Sequence, residues 1–182
     1  KQMPFTITQF RSEISKQKNL ARPNLFEVNV TGKAINNALV PFMAKIATIP
    51  PSTMGVVEVP YFGRQVKVPG NRTFDNLSIT ILNDENFSIR NKIEEWMSQM
   101  NSHVGNVQTG ALADLTTNTT VSIKHYGVAG ANDSLGEWKF VNCFPVALGE
   151  IALDWGSNDT VEEYTVDWAY DYWTHAGGAG SS

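Results

Sequence analysis

From Val57 to Met100 the sequence changes its hydrophobic period without spending residues on a linker, and this stretch constrains the fold more than any other. Val56 to Phe62 and Arg64 to Val68 flank Gly63, the pattern of a hairpin whose turn needs a residue tolerant of positive φ. Pro60 and Pro69 lie in or beside these strands. Proline cannot donate to a ladder, so the two strands are edges or project from the body. Gly70-Asn71-Arg72 reads as a further turn. Residues 74–82 then alternate, with Leu77, Ile79 and Ile81 facing inward and Asn76, Ser78 and Thr80 outward. Asn83-Asp84-Glu85 caps a helix over about 86–101. Ile89, Ile93, Trp96, Met97 and Met100 form a stripe wide enough to seal one face of a sheet.

The remainder is read as strands. Residues 24–31 alternate through Phe26, Val28 and Val30, and a second strand is expected at about 38–47 after turn chemistry at Asn36-Asn37. The small polar residues of 102–117 show no period and read as a long surface loop. Further strands are expected at about 118–128, 137–147 and 160–173, with a turn between Gly130 and Gly136. Pro145 is expected to bend or end the second of these. Residues 148–155 read as a continuing strand or turn. Near the start, Ile7, Phe10 and Ile14 make one narrow stripe, so residues 1–20 are expected to be a short helix or an arm that orders against a neighbour. The expected whole is one domain over 1–173, followed by a flexible Gly/Ser tail at 174–182. With short antiparallel connections and no βαβ rhythm, the class is mainly β: an antiparallel β-sandwich or barrel with one flanking α-helix and a projecting β-hairpin.

Composition narrows the function. A chain that is 42% hydrophobic with 182 residues can bury a core without a disulfide or metal. The net charge of −4 lacks the Lys/Arg excess that drives non-specific nucleic-acid binding. The single cysteine, Cys143, excludes an intrachain disulfide and fits folding in a reducing cytosol. The first residues lack the apolar core of a signal peptide, and no apolar run is long enough for a membrane-spanning helix, so no membrane anchor is expected.

Each candidate for chemistry has a simpler structural reading. His103, His125 and His175 have no metal-ligand spacing, and neither a cofactor nor a metal is expected. Cys143 lies mid-strand among aromatic residues and reads as a buried, inert thiol rather than a nucleophile. Asp84 and Glu85 are accounted for by helix capping. Asp154, Asn158, Asp159 and Glu162 read as a polar turn, since they lack the spacing of an EF-hand. Tyr164, Val166, Trp168, Tyr170 and Tyr172 form one face of the last strand; we read them as core, with a sugar-stacking platform as the alternative. The opposite face carries Glu163, Asp167 and Asp171, either a solvated face or one that repels a polyanion.

Three blocks, ARPNLFEV at 21–28, VPYFGRQVKVPGNRTFDNLSITILNDENFSIRNKIEEWM at 59–97 and FPVALGEIALDWGSNDTVEEYTVDWAYDYW at 144–173, resemble the tail tube proteins of contractile-tailed bacteriophages. The Gly-Asn-Arg-Thr-Phe-Asp segment, the Asn-Asp-Glu cap and the closing Asp-Tyr-Trp occur together in this resemblance. It implies a non-enzymatic virion subunit, built in the host cytoplasm. Hexameric rings of such subunits stack helically into an inner tube with a β-lined channel. The implied partners are other copies of the chain, the tail sheath, baseplate and tail terminator proteins, and double-stranded DNA passing through the lumen without specific binding. Two site expectations follow. The hairpin, with Pro60, Tyr61, Phe62, Arg64 and Lys67, reaches a neighbouring subunit. One acidic strand face, Glu163, Asp167 and Asp171, lines the lumen. The rival readings are a carbohydrate-binding β-sandwich using Trp168 and Tyr170 and, ranked last, a hydrolase using Cys143 or Asp84.

Overall fold

A computed structural model describes residues 6–16, 20–32, 40–128 and 134–176. The expected turn at 36–37, residues 130–133 of the turn expected from Gly130 to Gly136, the start of the expected arm, its residues 17–19, and residues 177–182 of the expected tail lie outside these; residues 134–136 of that turn are strand. In chain order the elements are α1 (Ile7–Lys16), β1 (Phe26–Thr31), α2 (Val40–Met43), β2 (Ala44–Thr48), β3 (Ser52–Tyr61), β4 (Arg64–Phe74), β5 (Leu77–Leu82), α3 (Ser88–Met100), α4 (Leu112–Leu115), β6 (Thr120–Tyr126), β7 (Ser134–Val141), β8 (Phe144–Leu148), β9 (Glu163–Ala169) and β10 (Tyr172–Ala176). The strands form two four-stranded antiparallel sheets, ordered β1-β6-β7-β10 and β2-β5-β9-β8, and a separate ribbon of β3 and β4. The fold is mainly β, as expected, but the sheets do not close into a barrel. The edges of the first sheet are β1 and β10, and those of the second are β2 and β8.

Alternation in the sequence becomes a core between the sheets. Val28 pairs with Ile123 and Val30 with Val121 in the first sheet, and Ile79 pairs with Val166 in the second; all six are buried. Helix α3 lays Ile89, Ile93 and Trp96 onto this core, with Met97 and Met100 partly buried against it. The Trp96 and Trp168 rings lie 5.7 Å apart. Burying each of the three inner side chains contributes about 2 kcal/mol. The helix begins at Ser88, two residues later than expected. Asp84 caps it, accepting the Ser88 N–H at 3.0 Å and the Ser88 hydroxyl at 2.7 Å. Asn83 instead ties the β5 end to Glu162, donating its backbone N–H to the Glu162 carbonyl at 2.9 Å and its side-chain amide to the carboxylate at 2.8 Å.

The structure departs from the expected elements at several places. The strand at 38–47 is a short helix, α2, followed by β2. The loop at 102–117 contains α4, and the Trp96 indole donates to the Leu115 carbonyl at 2.9 Å, so the segment is pinned to α3. Gly70-Asn71-Arg72 is not a turn but part of β4, beside a bulge where Gly55 and Gly70 bring the two backbones together. The expected long strands at 137–147 and 160–173 each break in two. The first turns at Asn142, whose φ is 57°, and passes from the first sheet into the second. The other leaves the second sheet after Ala169 and re-enters the first at Tyr172. The two crossings sit side by side: the Asp171 N–H donates to the Val141 carbonyl at 3.1 Å, and the Asn142 amide to the Asp171 carboxylate at 2.6 Å. Strand β10 also takes in Thr174, His175 and Ala176, the first residues of the expected flexible tail.

Candidate assembly surface

Alternation along β3 and β4 gives the ribbon two unlike faces. Val57 pairs with Val68, Val59 with Val66 and Tyr61 with Arg64, so these six side chains share one face. Glu58 pairs with Lys67 and Pro60 with Gln65 on the other. Both faces are exposed along almost the whole ribbon, and neither strand pairs with either main sheet. Phe62 and Gly63 form the tip at φ 45° and 75°, the pair of positive angles that a tight two-residue hairpin needs. Phe62 is 90% exposed there, edge-on to Tyr61 at 4.6 Å. Pro60 and Pro69 are tolerated because each strand of a two-stranded ribbon has a free edge.

The ribbon is anchored at its root rather than along its length. Phe74, the last residue of β4, packs against the Tyr170 and Trp173 rings at 6.0 and 6.4 Å, and the Tyr170 hydroxyl donates to the Asp75 carbonyl at 2.6 Å. The boundary between ribbon and body is therefore at Phe74-Asp75. Of the expected hairpin residues, Tyr61 and Arg64 lie on the valine face, Phe62 at the tip, and Pro60 and Lys67 on the opposite face. The Lys67–Glu58 ion pair is long, 3.8 Å, and solvent-exposed, so it adds little stability. Reasoning from prolines and aromatics missed Val57, Val59, Val66 and Val68; their period-two spacing in both strands was the available signal.

The acidic residues do not form one strand face. Glu163 and Asp167 point outward from β9, beside Ser78, Thr80 and Thr165, and Glu163 is paired with Lys45. Asp171 lies beyond the end of β9, in the crossing between sheets. The aromatic stripe divides in the same way. Tyr164 and Trp168 are buried, Trp168 to 1% exposure, so Trp168 offers no ring for a sugar to stack on. Tyr170 packs on Phe140 at 4.9 Å, while Tyr172, across the crossing, is half-exposed.

The groups considered for catalysis hold structural places. Cys143 is buried and burial pushes its thiol up to about 12, while its N–H donates to the Thr119 carbonyl at 3.0 Å. Asp84 caps α3, and the His125 ring contacts the Arg22 carbonyl at 2.9 Å. Asp154 organises a turn, accepting the Gly156 N–H at 3.0 Å. Among the described residues no group of three or more His, Cys, Asp or Glu could hold a metal ion, and no helix is long and apolar enough to cross a membrane.

A second exposed apolar surface lies on the connection from β8 to β9, where Leu153, Trp155 and Val161 project into solvent. Its start is fixed: the Gly149 N–H donates to the Thr165 carbonyl at 2.6 Å, and Arg90 donates to the Gly149 carbonyl at 3.1 Å while lying over the Tyr164 ring. This surface falls largely within residues 148–155, expected to be a strand or turn.

A two-sheet body thus carries a long exposed ribbon clear of its own core. The chain belongs to the phage tail tube protein family, whose model matches residues 5–176. The tail tube protein gp19 of Enterobacteria phage T4 is 30% identical over 155 residues, covering 85% of this chain and 91% of that protein. The tail tube protein of Serratia phage KSP90 is 25% identical over 171 residues, covering 91% and 94%. The fold also matches a chain from the anti-feeding prophage baseplate, with a TM-score of 0.64 at 17% identity over 87% of this chain and 97% of that one. A chain from the sheath–tube complex of an extracellular contractile injection system matches with a TM-score of 0.60 at 17% identity, over 94% and 98%. At that identity these two likenesses establish the fold.

Proposed function

We propose that this tail tube subunit assembles into hexameric rings that stack helically into the inner tube of a contractile tail, through which the genome passes on contraction. The valine face of the β3–β4 ribbon carries the reading. Left in water it is unfavourable, by roughly 25 cal/mol for each Å² of apolar surface, and an exposed ribbon is prone to pairing unless a partner covers it. Contacts of one copy's ribbon with another surface of the next are head-to-tail, and such contacts close into rings or continue as filaments. Pro60, Tyr61, Phe62, Arg64 and Lys67, together with the four valines, form this contact.

The same reading assigns sheath, baseplate and tail terminator proteins as partners. Chains of similar fold come from structures described as a baseplate, a tube-terminating cap, a sheath/tube terminator and a sheath–tube complex, which supports that assignment. It assigns the outward face of β9 and β5 to the lumen. Glu163, Asp167, Ser78, Thr80 and Thr165 there offer carboxylates and hydroxyls, a lining along which double-stranded DNA slides without specific binding. Lys45, held by Glu163, is its basic group on β2. Asp171, beyond the end of β9 and held by Asn142, lies off this face. Assembly takes place in the host cytoplasm and the product is part of the virion tail. Negative-stain electron microscopy of the purified protein tests the reading: rings or tubes are expected from the full chain and none after deletion of residues 57–68. Tubes that form without those residues would overturn the role given to the ribbon.

A further inference from the structure

The ribbon and the β8–β9 connection both present large apolar side chains on segments outside the two main sheets, and they are opposites in charge. The ribbon carries Arg64, Lys67 and Arg72 against Glu58 alone. From Glu150 to Glu163 the connection carries carboxylates and no lysine or arginine. Glu162 and Glu163 are engaged by Asn83 and Lys45, and Asp154 by Gly156 and Ser157 of its own turn, which leaves Glu150 and Asp159 exposed on the segment that carries Leu153, Trp155 and Val161.

Their places in the fold are also opposite. The connection runs into the first residue of β9, Glu163. The ribbon's root packs on Tyr170, one residue past the last of β9. One strand of seven residues therefore separates them, roughly 20 Å at ~3.3 Å per residue. A basic apolar arm at one end of a sheet and an acidic apolar seat at the other are the two halves of a head-to-tail contact.

We propose that the β8–β9 connection is the seat for the ribbon of the adjoining copy, with Trp155 and its apolar neighbours against the valine face and Glu150 and Asp159 near Arg64 and Arg72. This rests on the self-assembly reading above and names the surface that receives the ribbon. The occupant is a second copy of this chain because the complementary sign, the complementary apolar area and the head-to-tail placement are all supplied by the chain itself. Arg90 and Gly149 hold the seat's near end to α3 and β9, so it is presented on rigid elements.

Cross-linking decides it. Tyr61→Cys, on the valine face beside the tip, and Asn158→Cys, in the connection, are purified separately, mixed, assembled and treated with a short bis-maleimide. A covalent dimer requiring both variants is expected, because the only native thiol, Cys143, is buried. Trp155→Ala is expected to raise the protein concentration needed for assembly by more than about tenfold, with the monomer's melting temperature unchanged. Tubes that form without the cross-link, or Trp155→Ala tubes at the wild-type concentration, overturn the seat while leaving self-assembly intact; the connection then serves a different protein, such as the sheath. A wild-type chain that forms neither rings nor tubes overturns both.

Discussion

Several side chains in the core carry polar atoms, and their contributions differ in sign. The Trp96 indole N–H has a partner in the Leu115 carbonyl, so Trp96→Phe leaves that carbonyl without its donor and loses ring contacts. A loss of about 1–3 kcal/mol is expected in chemical denaturation. The Tyr164 hydroxyl is buried with no hydrogen-bond partner among the described residues. Tyr164→Phe is therefore expected to hold or raise the melting temperature at neutral pH, and a clear drop would show that the hydroxyl is satisfied. Burial raises the Tyr164 and Tyr170 phenols from 10.0 and the Cys143 thiol from 9.0, all to about 12. The unfolded chain ionises these groups first, so their contribution is complete below the unfolded values and is lost as the pH climbs toward the folded ones. Thermal melts should be flat for these groups up to pH ~9 and fall above it, less steeply for Tyr164→Phe. At Gly149 a Cβ would stand 2.8 Å from the Thr165 carbonyl oxygen, a backbone atom that cannot swing away. Gly149→Ala is expected to cost about 1–3 kcal/mol and to loosen the connection that follows; an unchanged melting temperature would contradict this. None of these partners was legible in the sequence, because each lies far along the chain and is brought in by tertiary packing.

At the scale of elements, the sequence shows α3, β1 and β5 within a few residues, since each carries an unbroken period of two or 3.6; it places the ribbon's tip but stops both its strands short, at the bulge beside Gly55 and Gly70. It misleads where the backbone turns inside a continuing pattern. Phe140, Asn142 and Phe144 alternate as one strand face, yet Asn142 at positive φ resets the phase, and Cys143 rather than Asn142 enters the core. The same happens after Trp168: Tyr172 is half-exposed although its spacing puts it on the buried face. Asparagine tolerates the left-handed region, but nothing in the local sequence says that it must use it. Gly70 invited the opposite error, since glycine in a strand marks a bulge as readily as a turn. For the ribbon, Val59→Asp and Val66→Asp are expected to change the monomer's stability by no more than about 0.5 kcal/mol, because both side chains are already exposed. Both are expected to abolish tubes in micrographs. A variant that melts early, or one that still assembles, would contradict the assignment of that face to a neighbour.

For the whole molecule, a net charge of −4 hides a separation between a basic ribbon and an acidic connection. If opposite charges help seat one copy on the next, raising the salt concentration should weaken assembly, since screening acts over about 10 Å at 0.1 M and over shorter distances above it. Turbidity or sedimentation across a salt series reads this directly, and assembly that strengthens steadily with salt would leave the apolar contact as the sole driving force. The paired crossings at Asn142 and Asp171 have a mechanical meaning. Because β7 continues into β8 and β9 into β10, the two sheets are joined by peptide bonds at one corner as well as by packed side chains. An axial load entering one sheet reaches the other along the backbone, so the sandwich resists sliding apart by stretching covalent chain rather than by shearing its core.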